Sequence, residues 1–358
     1  MKFHPKMIAI GSAAFTMLAM AFPSYSAPNI ASVAQSADTL TVRGSAFGTH
    51  ANYGRGQPFL NAAWNNFESG NFNSGNVSLD GVSTSQWSIA TAQSRPNSTR
   101  FAQKVFKNDE LGELAHEQSG TTGKWFVSFW MRVGDAAQQQ SGKFFRIYGN
   151  AGNIYTSTGG GNLNIRGFSE CTSCAPSPTT VWGSANSFAG NTWQRVDIEI
   201  SQNPDWFAVY LDGRLQWKKS STSSSSAERE QWLSSAFGAN GHTLGIGQML
   251  DGPERGFSTN GFYNFDDFYV DYTWSRVELC NSPTWSSCSV REIQIPTAWS
   301  DSSISVQLNK GSFSNGQTGY LFVVDASGTA SGGYPITIGG GSSSALPVAQ
   351  NLHVISTN

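Results

Sequence analysis

The chain has 358 residues, with 22 Lys and Arg against 24 Asp and Glu and a net charge of −2. Charged residues make up 13% and aromatics another 13%, with 12 Trp and 38 Gly; an ordinary soluble domain is ~25% charged. That balance excludes a disordered chain, which needs high charge and few aromatics, and a nucleic-acid binder, which needs a basic field to neutralise phosphates. The length predicts two domains at ~100–200 residues each.

Residues 1–26 read as a secretory signal. Lys2 and Lys6 form its positive end, 7–22 its apolar stretch, and Ser24, Tyr25 and Ser26 the cleavage region. The apolar run is shorter than the ~20 residues a bilayer span needs, so no membrane insertion is expected. The exported product is placed outside the cell or in the periplasm, an oxidising setting for the four Cys. Cys171 and Cys174 form a CxxC between Gly- and Ser-rich stretches, and Cys280 and Cys288 bracket a short loop. Three pairings are possible, and the two local ones are expected, because sequence neighbours meet easily.

Beyond the signal, short β-patterned runs recur between turn signals: 39–43, 125–133, 143–148, 193–200, 206–211, 265–272, 304–308 and 320–325. The one helical pattern is 226–234. The fold class expected is all-β, built of sandwiches rather than parallel βαβ units.

Strict alternation separates the faces of several strands. In 125–132, Trp125, Val127, Phe129 and Met131 oppose Phe126, Ser128, Trp130 and Arg132. In 143–150, Phe145 and Ile147 oppose Phe144, Arg146, Tyr148 and Asn150, and in 162–166 Leu163 and Ile165 oppose Asn162, Asn164 and Arg166. In 193–200, Val196, Ile198 and Ile200 oppose Arg195, Asp197 and Glu199. In 206–211, Phe207, Val209 and Leu211 oppose Trp206, Ala208 and Tyr210. One face of each strand is apolar core. The other mixes aromatics with Arg and Asn, types that stack on sugar rings and donate to hydroxyls and carboxylates. In one curved sheet these faces would line a saccharide groove; cross-strand pairing on a plain surface gives the same composition.

Three stretches carry a resemblance: NFESGNF at 66–72, the 193–217 hairpin with its VYLDGRL turn, and FDDFYVD at 265–271. With them the run 66–270 resembles a concanavalin A-like jelly roll, the sandwich of lectins, carbohydrate-binding modules and some glycan-cleaving enzymes. In such modules the opening and closing motifs contribute to a structural calcium site. The resemblance places Glu68, Asp266 and Asp267 there; turn capping or pairing with Arg is the other reading of these acids. The flanks resemble an IPT/TIG immunoglobulin-like domain, through the strand running into GSAFG at 44–48 and through WSDSSISV at 299–306. The implied organisation is a signal at 1–26, a first immunoglobulin-like part at 27–64, the jelly roll at 65–280, the second part at 281–340 and a flexible tail at 341–358. A leader followed by two sequential domains is the alternative.

Catalytic signals are sparse. The ExDxxE run of jelly-roll glucanases is absent; Asp197-Ile-Glu199 comes nearest and lacks the third acid, while Asp109, Glu110 and Glu113 read as a polar loop. A polysaccharide lyase needs a carboxylate neutraliser and proton-transfer groups, for which Arg146, Tyr148 and His116 are the candidates. The alginate-lyase signatures of this fold are absent. No metal motif, P-loop or GxSxG occurs, so no catalytic cofactor is expected.

The sequence therefore points to a secreted protein that binds a polysaccharide, acidic glycans included, with no nucleic-acid partner. The binding residues expected are Trp130, Arg132, Arg146, Tyr148, Asn164, Arg166, Trp182, Trp206 and Tyr210. A lyase acting on a uronic-acid polymer and an extracellular adhesive or scaffold protein are the competing readings.

Overall fold

The computed structural model describes residues 26–53, 58–80, 85–105, 113–118, 123–134, 142–149, 152–159, 164–171, 179–202, 205–220, 242–250 and 261–340. Two strands open it, β1 (Asn29–Ser36) and β2 (Thr39–Ser45). Short strands follow: β3 (Ala63–Asn65), β4 (Ser78–Asp80), β5 (Trp87–Ala90), β6 (Phe101–Val105) and β7 (Glu113–Gln118). The longer ones are β8 (Lys124–Val133), β9 (Gly142–Gly149), β10 (Gly152–Gly159), β11 (Asn164–Cys171), β12 (Thr179–Ser187) and β13 (Trp193–Gln202). Then come β14 (Asp205–Leu211), β15 (Arg214–Ser220), β16 (His242–Leu250) and β17 (Phe262–Asp271). The chain closes with β18 (Arg276–Cys280), β19 (Arg291–Trp299), β20 (Ser303–Gln307), β21 (Thr318–Val324) and β22 (Tyr334–Thr337).

These strands form an all-β molecule, a jelly-roll sandwich plus a small immunoglobulin-like sandwich. One jelly-roll sheet runs β12-β11-β10-β9-β16-β7-β4, and the other runs β15-β14-β13-β8-β17-β6-β5 with β3 on β17. Their inner faces share one core. Trp125, Val127, Phe129 and Met131 of β8 are all fully buried against Phe145 and Ile147 of β9 and Phe207 and Val209 of β14. Each such side chain contributes about 1.5–3 kcal/mol of hydrophobic stabilisation.

The third sheet runs β1-β2-β20-β19-β18-β21-β22, with β2 against β20 from Thr39↔Gln307 to Arg43↔Ser303. It closes on its own core of Leu40, Val42, Phe47, Val277, Leu279, Ile304, Val306 and Leu321. Residues from both ends of the chain therefore bury one another's apolar faces.

The expected faces hold on β8, β13 and β14 and fail on β9. The pairing of β9 slips at Phe144 on both sides, where Phe145 faces Thr156 and Ile246 while Lys143 faces Ser157 and Met249. This bulge turns Phe144 inward beside Phe145, so it belongs to the core and not to the polar face. Glu113, read as a loop acid, starts β7 and is buried. The helical pattern at 226–234 and the acids Asp109 and Glu110 lie outside the described residues, as does Cys174. Cys280 and Cys288 are joined in a disulfide.

A candidate saccharide cleft at the seam of two sandwiches

The outward face of the β13–β8 sheet is not an open groove. Phe126, Ser128 and Trp130 on the outer row of β8 are each less than a tenth exposed, with Ile293 and Ile295 of β19 over Phe126, Arg195 over Ser128 and Glu292 of β19 over Trp130. Phe126 packs with Tyr269, Trp274, Ile293 and Ile295. Trp130 donates its indole N–H to Glu292 at 3.0 Å, with the Arg95 guanidinium 4.0 Å from the ring centre. Trp130 is thus a seam residue rather than a sugar platform.

The seam is ionic as well as apolar. Arg195 of β13 donates to Asp197 at 2.8 Å, to Ser128 at 3.0 Å and to Glu278 at 3.0 Å. Arg276 holds the other oxygen of Glu278 at 2.5 Å. Burial works against ionising Glu278, yet Arg195, Arg276 and Arg291 outweigh it and hold the carboxyl down at about 2. Arg95 joins Glu292 at 2.6 Å and Asp267 at 2.8 Å.

The arrangement does not suit calcium. Both oxygens of Glu68 accept from Ser98, Thr99 and Arg100, and Asp267 Oδ2 accepts from Arg95 and Asn309. Asp266 accepts from the Asp267 N–H, and Arg95 lies 3.8 Å from its other oxygen. A divalent ion wants six to eight oxygens and would meet a guanidinium here. Among the described residues, no cluster of His, Cys, Asp and Glu that could hold a metal occurs. The three acids cap loops and pair with Arg.

Where the cover ends, a cleft of about 450 Å³ opens between the sandwiches. Its size falls within the ~300–1,000 Å³ of small-ligand sites. The outer rows of β13 and β14 supply Glu199, Trp206 and Tyr210, the connection between β17 and β18 supplies Trp274, and the second sandwich supplies Trp285 and Arg291. Trp206 and Trp274 stack with centroids 5.2 Å apart and planes 19° apart, and Lys218 Nζ lies 3.9 Å from the Trp206 ring centre. Arg291 stands 3.9 Å over Trp285 and donates to its carbonyl at 2.9 Å.

The β14–β15 turn makes room for that arginine. Asp212 and Gly213 have φ of 50° and 72°, as a two-residue hairpin turn of the I′ kind requires. A Cβ on Gly213 would lie 3.1 Å from the Arg291 guanidinium carbon.

Tyr210 donates its hydroxyl to Glu199 Oε2 at 3.1 Å. Burial raises the Glu199 carboxyl above its ordinary value, and nearby Asp197 adds to this, while Arg276, the Tyr210 hydrogen bond and Lys218 oppose it. Burial and Glu199 together push the Tyr210 hydroxyl far up, so it stays a donor at all ordinary pH. The cleft thus presents indole surface, a neutral donor, a tunable carboxyl and cations in one space.

The expected binding residues divide between two faces. Trp206 and Tyr210 line the cleft. Arg132 lines a second recess, described below. Arg146 is half-buried on β9, in the other jelly-roll sheet, and faces away from the cleft across the core. The backbone places Tyr148 on β9, Asn164 and Arg166 on β11 and Trp182 on β12 of that same sheet. Their side chains lie outside the described residues. Among the described residues, Arg146 and Trp206 do not share one groove, because they stand on the outer faces of two different sheets.

His116 is a further correction. It is paired with Leu244 on the core face and is 2% exposed, with ring nitrogens 2.9 Å from Asn76 O and 2.6 Å from the Tyr272 hydroxyl. Arg146 pairs with Gly245, one residue on, and so points to the opposite side. The two do not meet at one reacting centre.

Trp274, Trp285, Arg276 and Arg291 are site residues that strand alternation did not single out. A tryptophan inside a loop closed by Cys280 and Cys288 was a usable signal, since a staple there fixes an aromatic at the surface.

No family model matches the chain, and no curated protein matches it. Solved structures similar to it include the binding domain of botulinum neurotoxin DC in complex with SialylT. That match has 14% identity, 55% of this chain, 42% of that chain and a TM-score of 0.35. Endo-β-1,4-glucuronan lyase from the fungus Trichoderma reesei matches at 12% identity, 60% of this chain, 96% of that chain and a TM-score of 0.41. Endo-1,3-β-glucanase from Streptomyces sioyaensis matches at 13% identity, 60% and 96% coverage and a TM-score of 0.36. The chain spans less than half of the toxin binding domain. At these values no activity transfers, and the site is read from its own residues.

Proposed function

We propose that this is an exported polysaccharide-binding protein and that the seam cleft holds the saccharide. The observation that carries the reading is the convergence of Trp206, Trp274 and Trp285 on one open cleft with Glu199, Tyr210 and Arg291 between them. Indoles supply rigid apolar platforms, and hydroxyl-rich rings need polar groups at fixed places around them. The cleft is built from both sandwiches, so the second sandwich is a working part of the site. We read that second sandwich as one immunoglobulin-like domain split by the jelly roll. The pairing of β2 with β20 supports this.

Native gels cast with individual polysaccharides test the reading. Retardation without clearing of the polymer is the expected result. Unchanged mobility across neutral and acidic polymers would move the protein to the adhesive or scaffold class. A second reading, a lyase built on Arg146 and Tyr148, has one observation in its favour. Glu113 lies over Gly245, where a Cβ would stand 2.0 Å from its Oε2, beside the Gly245 partner Arg146. That reading predicts a cleared zone whose product absorbs in the ultraviolet, abolished by Tyr148→Phe.

A further inference from the structure

The cover leaves a second opening at the far end of the same strand rows. Along the outer face of β8, Phe126 borders the seam cleft, Ser128 and Trp130 lie under Arg195 and Glu292, and Arg132 faces an open recess of about 570 Å³. Its strand partner Trp193 is half-buried and lines the same recess with Gln93, Asn191 and Phe262. From Trp193 to Glu199 is six residues of extended chain, ~20 Å, so recess and cleft are separate places.

Arg132 differs from Arg95, Arg195 and Arg276 of the seam. Arg95, Arg195 and Arg276 each hold at least one carboxylate. Arg132 is 6% exposed, and its hydrogen-bond partners among the described residues are amides. Its Nε donates to Asn191 O at 3.2 Å, and its Nη2 donates to Asn191 Oδ1 at 3.3 Å and to Gln93 Oε1. Phe262 lies under the guanidinium, 5.0 Å away. Burial lowers its proton affinity, and no carboxylate offsets that among the described residues. Trp193 is itself fixed, its indole N–H donating to Gln93 O at 2.9 Å and its ring meeting Phe101 edge-on. A buried guanidinium with no carboxylate partner among the described residues, held by amides beside a partly open indole, has the donor set that an anion needs.

We propose that this recess binds the carboxylate of a uronic acid unit, with Arg132 as the anion anchor and Trp193 as the platform for the sugar ring. The reading of the protein as a glycan binder supplies the kind of anion, and the recess extends it to a second contact point for an acidic chain. Two separate contacts on one polymer raise avidity without any new interaction at either.

The test follows the tryptophan indole ¹H–¹⁵N signals of the ¹⁵N-labelled protein during titration with trigalacturonic acid and with its fully methyl-esterified form. The Trp193, Trp206 and Trp285 signals are assigned by Phe variants. The expected result is a shift of Trp193 with the acid, at least tenfold weaker with the ester and with Arg132→Gln. Retention of most of the shift in Arg132→Lys is also expected. Comparison of acid with ester in the unaltered protein needs no variant, and melting curves confirm that both variants fold. A still Trp193, or equal response to acid and ester, would overturn the proposal. Shifts of Trp206 and Trp285 alone would overturn the recess while leaving the seam cleft standing.

Discussion

Arg195 Nη1 and Glu278 Oε2 stand 3.0 Å apart across the seam between the two sandwiches, both fully shielded from solvent. The pair joins a strand of the jelly roll to β18, and Arg276 completes it from the same side as Glu278. Removing one partner leaves buried charge uncompensated, which costs about 3–5 kcal/mol. Glu278→Gln is expected to lose that much in chemical unfolding. The acid limb identifies the cause: the carboxyl sits at about 2 in the fold against 4.5 ordinarily. Its stabilising effect is complete above 4.5 and is lost as pH falls toward 2, about 3 kcal/mol in all. In the variant this segment of the stability–pH curve flattens.

Glu199 predicts the opposite slope. Its folded value is raised, chiefly by burial, so folding favours the neutral carboxyl. Its contribution is present below the ordinary 4.5 and is lost as pH rises through the raised folded value. The stability of Glu199→Gln relative to the unaltered protein therefore grows across that window in melts run at stepped pH. Tyr210→Phe, which deletes the donor to the carboxylate, moves the Glu199 titration higher still, as ¹³C carboxyl shifts read directly.

The disulfide carries Trp285 into the cleft. Cys280 and Cys288 close a loop of eight residues' separation, with Cys280 fully buried and Cys288 6% exposed. Cys280→Ala with Cys288→Ala is expected to cost about 2 kcal/mol, mainly through a freer unfolded chain. It should also weaken glycan binding, since Trp285 loses its fixed position against Phe322. Calorimetry and affinity gels check the two effects separately.

His116 behaves as a core residue. With Tyr272 at 2.6 Å and Asn76 O at 2.9 Å, its ring fills a buried polar niche. His116→Leu is expected to cost about 1–3 kcal/mol through unpaired groups. Gel retardation by polysaccharide should be unchanged at temperatures well below melting.

What the sequence revealed follows from which contacts are local. Strict alternation in β8, β13 and β14 placed Trp125, Val196 and Phe207 in the core and put Trp206 and Tyr210 outside it. The Asp212–Gly213 turn and the Cys280–Cys288 staple are short-range features and were legible for the same reason. The bulge at Phe144 was not, because it is set by slippage against two partner strands. Nor was the cover over Trp130 and Arg195, which comes from Glu278 and Glu292 far along the chain. Aromatics beside Arg on an outward face suit a sugar groove and a buried seam equally well, so composition alone could not separate Trp130 from Trp206. Arg146 and Trp206 looked alike on paper because alternation reports the face of a strand and not the sheet to which it belongs.

The most direct test of the central claim is affinity electrophoresis of the unaltered protein beside Trp285→Ala and Trp206→Ala, in gels containing a polysaccharide that retards it. The seam cleft predicts that each variant binds roughly tenfold more weakly, the usual scale for losing a buried aromatic anchor at a binding site, while melting stays cooperative. Retardation that both variants retain in full would contradict it and place the glycan elsewhere on the molecule.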